Sequence, residues 1–158
     1  MFRLVHISDP HLGPLPEVRM RDLASKRVTG YVNWRRNRIR HHRQGVVDLV
    51  ADAAATLRPD HIAVTGDLVN LALDEEFGRA RQWLDRLGEP ADVTVVPGNH
   101  DAYVPGALDK ACHAWAPYMN GDGDTPHPGR DVFPFLRRRG DIAIIGVSSA
   151  RATVPFMA

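Results

Sequence analysis

The segment His61-Ile62-Ala63-Val64-Thr65-Gly66-Asp67 decides the reading of the fold, because five residues of strand character stop at a Gly-Asp turn. Ahead of it, residues 44–58 place Val46, Val50, Ala53, Ala54 and Leu57 on one helical stripe that Pro59 closes. Behind it, Asp74 reads as a helix N-cap, with Glu75 and Glu76 in the first turn. Phe77, Ala80, Trp83, Leu84 and Leu87 then share one face, and Gly88 is the stop. Outside both helices lie two more short apolar runs, residues 3–8 and 92–96. Strand, helix, strand, helix, strand predicts right-handed crossovers that build a parallel sheet, so the fold class is α/β.

Further along, residues 107–116 predict a third helix, and the Gly/Asp/Pro-rich stretch 120–129 a loop. Residues 132–136 and 141–147, around Arg138-Arg139-Gly140, read as a hairpin. With 158 residues, 44% of them hydrophobic, the chain is long enough for one buried core and short for two domains, and no internal repeat divides it. Cys112 is its single cysteine, which excludes an internal disulfide and suits a reducing, cytoplasmic compartment. Neither a signal peptide nor a run of about 20 apolar residues, the length a membrane-spanning helix needs, is found in the sequence.

Net charge is +1, but it is unevenly placed: residues 17–43 hold nine Lys/Arg against two acids, a basic arm on an otherwise acidic body. Its densest part, Arg35-Arg36-Asn37-Arg38-Ile39-Arg40-His41-His42-Arg43, reads as a solvated arginine-rich helix face. The alternative is a non-catalytic module whose arm 35–43 binds nucleic acid or an anionic membrane surface. Cys112, near Ala111 and Trp115 on the third predicted helix, reads as a small core side chain, and Gly121-Asp122-Gly123-Asp124 as a flexible turn.

Chemistry gathers at the ends of the three expected strands: Asp9-Pro10-His11, Gly66-Asp67 and Gly98-Asn99-His100-Asp101. In a parallel sheet the carboxyl edge is where loops from successive strands converge on a ligand. Carboxylate, amide and imidazole donors without thiolates suit two divalent ions such as Mn, Fe, Zn or Co. Asp9 and His11, two apart in an extended segment, would grip one ion from the same side. Asp67 would bridge to a second ion, and Asn99 would bind that second ion through its carbonyl oxygen. His100 is the expected acid for the leaving oxygen, with Asp101 orienting its ring. Asn70 is a candidate substrate contact, and Gly66 and Gly98 permit sharp turns that leave room for phosphate.

At Ile7-Ser8-Asp9-Pro10-His11-Leu12, Val64-Thr65-Gly66-Asp67-Leu68-Val69-Asn70 and Val96-Pro97-Gly98-Asn99-His100-Asp101 the chain resembles the calcineurin-like metallophosphoesterase family. Within it, the likeness is to the bacterial class III cyclic nucleotide phosphodiesterase-like branch. The resemblance implies the first half of a four-layer α/β/β/α sandwich. It implies Asp9, His11 and Asp67 on the first metal, Asp67 and Asn99 on the second, a metal-bridging hydroxide as nucleophile and His100 assisting the leaving group. Members of the family carry further Gly-His and Gly-His-x-His ligand motifs on a second sheet. The sequence has no counterpart of them, so residues 1–158 are expected to be one domain truncated at its C-terminus and inactive or nearly so alone.

Overall fold

The computed structural model describes residues 1–38 and 44–153. Strands β1 (Leu4–Ser8), β2 (His61–Thr65) and β3 (Val93–Val96) form one parallel sheet in the order β1-β2-β3. Helices α1 (Arg27–Asn33) and α2 (Gln44–Thr56) lie in the connection from β1 to β2, and α3 (Asp74–Leu87) lies between β2 and β3. Helix α4 (Ala107–Trp115) follows, and then the antiparallel pair β4 (Phe135–Arg139) and β5 (Ile142–Gly146). The α/β class and the order of elements read from the sequence are those observed.

Register positions the site. Ser8 pairs with Thr65, and Thr65 with Val96, so the three strands stop level with one another. The residues that follow them must leave the sheet at one edge. The core beneath is built from Ile62, Val64, Val93 and Val95 of the sheet with Phe77, Trp83, Leu84 and Trp115 of the helices, all buried.

Four local expectations are corrected. The first concerns α2, whose buried side carries Ala51 and Ala54, with Val47 half-buried, while Val46, Val50, Ala53 and Leu57 of the expected stripe are exposed. The small alanines let the helix approach its neighbours, and the bulkier row has no covering layer among the described residues. The second concerns α3, whose N-cap is Leu73 rather than Asp74. Glu76, three residues into the helix, accepts the amides of Asn70, Leu71 and Leu73, and Asp74 pairs instead with Lys110.

The third is the hairpin, which starts at Phe135 and turns at Gly140-Asp141, because Pro134 has no N–H to give a ladder and Gly140 adopts the positive φ of 61° that a two-residue turn demands. The fourth is the turn at residues 121–124, which is tied down: the Asp122 carboxylate accepts the amide of Arg138 at 2.6 Å and the guanidinium of Arg139 at 2.9 Å. Helix α1 was not anticipated as an element. Its Arg27 donates to the carbonyls of Leu71 and Ala72, which fastens the start of the basic arm to the loop after β2. Arg35 and Arg36 are exposed, and residues 39–43 of the arm, His41 and His42 among them, lie outside the described residues. Cys112 is buried as expected, and burial pushes its thiol up to about 11, which suits a core side chain.

Candidate metal centre

The three strand-end loops are clipped to one another before any side chain is considered. The amide of His11 donates to the carbonyl of Asp67 at 2.9 Å, and that of Leu12 to Leu68 at 2.9 Å. To reach this arrangement the first loop curls rather than extends. Asp9, His11 and Asp67 hold φ values of 52°, 41° and 53°, left-handed conformations that non-glycine residues seldom adopt and that concentrate at functional sites. The segment is therefore not extended as expected, and Asp9 is exposed while His11 is buried.

Two glycines make the approach possible. Gly66 has φ of 74° and sits so close to the Gly98 main chain that a Cβ would overlap it. A Cβ on Gly98 would in turn strike the Asp67 carboxylate and lie 2.6 Å from the Asp67 nitrogen. The same carboxylate accepts the amide of His100 at 2.8 Å, so Asp67 is held from the third loop while belonging to the second.

The imidazoles are oriented by carbonyl groups. His11 Nδ1 lies 3.3 Å from the carbonyl oxygen of Val69, and His100 Nδ1 lies 2.7 Å from that of Asn70. A carbonyl only accepts, so each Nδ1 carries the proton and, in the neutral ring, the lone pair is on Nε2. For His11 that nitrogen is 3.7 Å from Asp67 Oδ2. The two rings meet edge-on with centroids 4.8 Å apart, and the Tyr103 ring stacks on His100 at 5.1 Å.

Ligand atoms of His11, Asp67 and His100 lie within 4.8 Å of one another. Asp9, Asp67 and Asn99 together line a cleft of about 590 Å³ at the sheet edge. Asp67 is common to the two groups, and imidazole, carboxylate and amide donors of this kind fit borderline divalent ions.

Asp101 does different work from that expected of it. Its Oδ1 accepts the amides of Leu68 and Val69 at 3.0 and 3.1 Å, and its Oδ2 that of Gly98 at 2.8 Å. The side chain is fully buried and fastens the second loop to the third. Burial pushes its carboxyl up to about 7 while those amides pull the other way. The His100 ring nitrogen expected for it is bonded to Asn70 O. Asn70 itself is buried and donates from Nδ2 to the Leu12 carbonyl at 2.8 Å, so it braces the first loop as well.

Sequence reasoning missed Glu76, Tyr103 and the segment after β5, where Ser149, Arg151 and Thr153 line the cleft. Tyr103, three residues past His100, offered a faint signal. Arg151 offered none, since an isolated arginine after a hairpin looks like any surface cation.

A level parallel-sheet edge with Asp9, Asp67 and Asn99 at a cleft and two imidazoles beside Asp67 marks an α/β protein with a candidate metal-binding group. Residues 2–150 match the calcineurin-like phosphoesterase family, and the chain belongs to it. It is also 46% identical over 55 residues to the glycerophosphodiester phosphodiesterase GpdQ of Enterobacter lignolyticus (strain SCF1). That stretch is 35% of this chain and spans 16% of the relative's length.

Proposed function

We propose that this chain takes part in metal-dependent hydrolysis of phosphate esters, with a phosphodiester as the substrate class. The observation that carries the reading is that strands ending in register bring Asp9, Asp67 and Asn99 to one cleft and His11 and His100 within ligand distance of Asp67. Asp9, His11 and Asp67 would hold one divalent ion, and Asp67 and Asn99 a second. When bound, such ions neutralise phosphate charge and make a water acidic enough to attack as hydroxide.

The protein's own groups do the rest. Asp67 is fixed by the His100 amide, so it can face both ion positions without moving. His100, its Nδ1 donating to the Asn70 carbonyl, would act as the acid in its imidazolium form, giving the Nε2 proton to the departing alcohol. Arg151, at the same cleft, supplies a cation to the phosphate oxygens. A glycerophosphodiester is the first substrate to try, because the matched relative is named for acting on one.

Since the described residues give the second ion only Asp67 and Asn99, the isolated chain is expected to bind it weakly and to turn over slowly. Among the described residues no helix is long and apolar enough to cross a membrane. The test is metal content together with hydrolysis of bis(p-nitrophenyl) phosphate, with and without manganese, for the chain and for Asp67→Asn. Saturable manganese binding and metal-dependent release of p-nitrophenol, both lost in Asp67→Asn, are expected. Binding and turnover indifferent to Asp67 would remove the reading.

A further inference from the structure

Part of the wall of the metal cleft comes from residues 147–153, of which Ser149, Arg151 and Thr153 share its lining with Asp9, Asp67 and Asn99. This segment follows β5 and lies outside any helix or strand, so its place depends on contacts made from elsewhere in the chain. One of them comes from 127 residues away. Lys26 Nζ donates to the carbonyl oxygen and to the hydroxyl of Thr153, each at 3.2 Å.

The same ammonium lies over the Tyr103 ring, 4.4 Å from its centroid. Tyr103 is itself well fixed. It stacks on His100, and Gly30 backs onto its hydroxyl so closely that a Cβ would overlap it. Lys26 is the N-cap of α1 and Gly30 lies one turn further on, so both meet Tyr103 from one face of the helix. A lysine ordinarily keeps its ammonium in water and buries only its stem. Lys26 instead turns its charge inward, and burial lowers its pKa from the usual 10.5. It is not among the residues that line the cleft, so whatever it does for the site it does through Thr153 and Tyr103.

We propose that Lys26 is a positioning residue for the substrate: it pins Thr153 to the fixed Tyr103 ring and so holds Arg151, two residues earlier, at the cleft. The inference rests on the reading of that cleft as a phosphoester site and adds to it a residue that touches neither metal nor substrate. Arg151 is exposed, and a guanidinium on a loose segment has to order that segment each time it meets a phosphate. Held in advance, it binds without that cost. Removing the brace weakens binding of substrate and transition state alike, which raises KM and leaves kcat in place.

The test is a double-mutant cycle on the manganese-loaded chain with bis(p-nitrophenyl) phosphate. Lys26→Met, which keeps the stem and removes the ammonium, should raise KM about tenfold with kcat within about twofold and manganese binding unchanged. In an Arg151→Leu background the same substitution should change KM by less than about twofold, because the group it positions is gone. An unchanged KM in Lys26→Met, or an equal rise in both backgrounds, overturns the proposal.

Hydrogen exchange supplies an arm that needs no turnover. Backbone amides of residues 147–153 should exchange about fivefold faster in Lys26→Met than in the native chain, with those of β2 unaltered. Equal rates in the segment overturn the proposal. If the native chain hydrolyses no ester, the phosphoester reading of the cleft fails, and the exchange rates alone decide whether Lys26 holds the segment.

Discussion

His100 shows how much at the residue scale depends on one carbonyl. The bond from its Nδ1 to Asn70 O fixes both the tautomer and the ring plane, and Tyr103 stacks on the face. The same ring lies within ligand distance of His11 and Asp67, so its role as acid and a role as ligand make opposite demands. As the acid, His100→Ala should lower kcat by about 10²–10⁴ and leave bound manganese unchanged, measured by metal analysis after gel filtration. A loss of bound metal with the histidine would make it a ligand. Gly98 is constrained more simply. Gly98→Ala drives a methyl group into the Asp67 carboxylate, and manganese affinity should fall about 10–100-fold in a calorimetric titration while the far-UV spectrum is kept.

At the scale of elements, β2 carries the site at one end and a pH-sensitive core residue at the other. His61 is fully buried and paired through Nε2 with Thr94 Oγ1 at 2.7 Å, and its Nδ1 has no partner among the described residues. Burial, with the Arg139 and Arg137 cations nearby, pushes its pKa down to about 4 from 6.5. Between those values the unfolded chain binds a proton that the folded chain refuses, so stability rises with pH there. It is lost as the pH falls from 6.5 toward 4, by up to about 3 kcal/mol. Urea midpoints at pH 7 and pH 5 should differ for the native chain, and the difference should shrink in His61→Gln.

At the scale of the whole molecule, one buried arginine joins the two sheets. Arg137 of β4 donates to the carbonyls of Pro90 and Val93, each at 2.7 Å, and to those of Asn120 and Pro117. No carboxylate faces it at bonding distance in these contacts, and burial pushes its pKa down to about 10. Carbonyl oxygens thus accept the hydrogen bonds of this buried cation, with the charges of Asp122 and Asp92 further off. Arg137→Met leaves them without a donor and should cost about 3 kcal/mol in urea denaturation, loosening the hairpin from the sheet before the sheet itself melts.

The sequence by itself determined the strand-helix order and the level at which each strand stops, because apolar runs and their Gly/Pro punctuation are local properties. It also located Asp9, His11, Asp67, Asn99 and His100 at one edge of the sheet, because these polar residues directly follow those strands. It misassigned whatever depends on a neighbour distant in the chain. The buried face of α2 was settled by close packing of Ala51 and Ala54, and the duty of Asp101 by amides more than thirty residues away. Helix α1 comes against Tyr103 and Leu71 because position 30 is glycine. Periodicity records which residues share a side of an element, and only tertiary packing decides which side meets a partner.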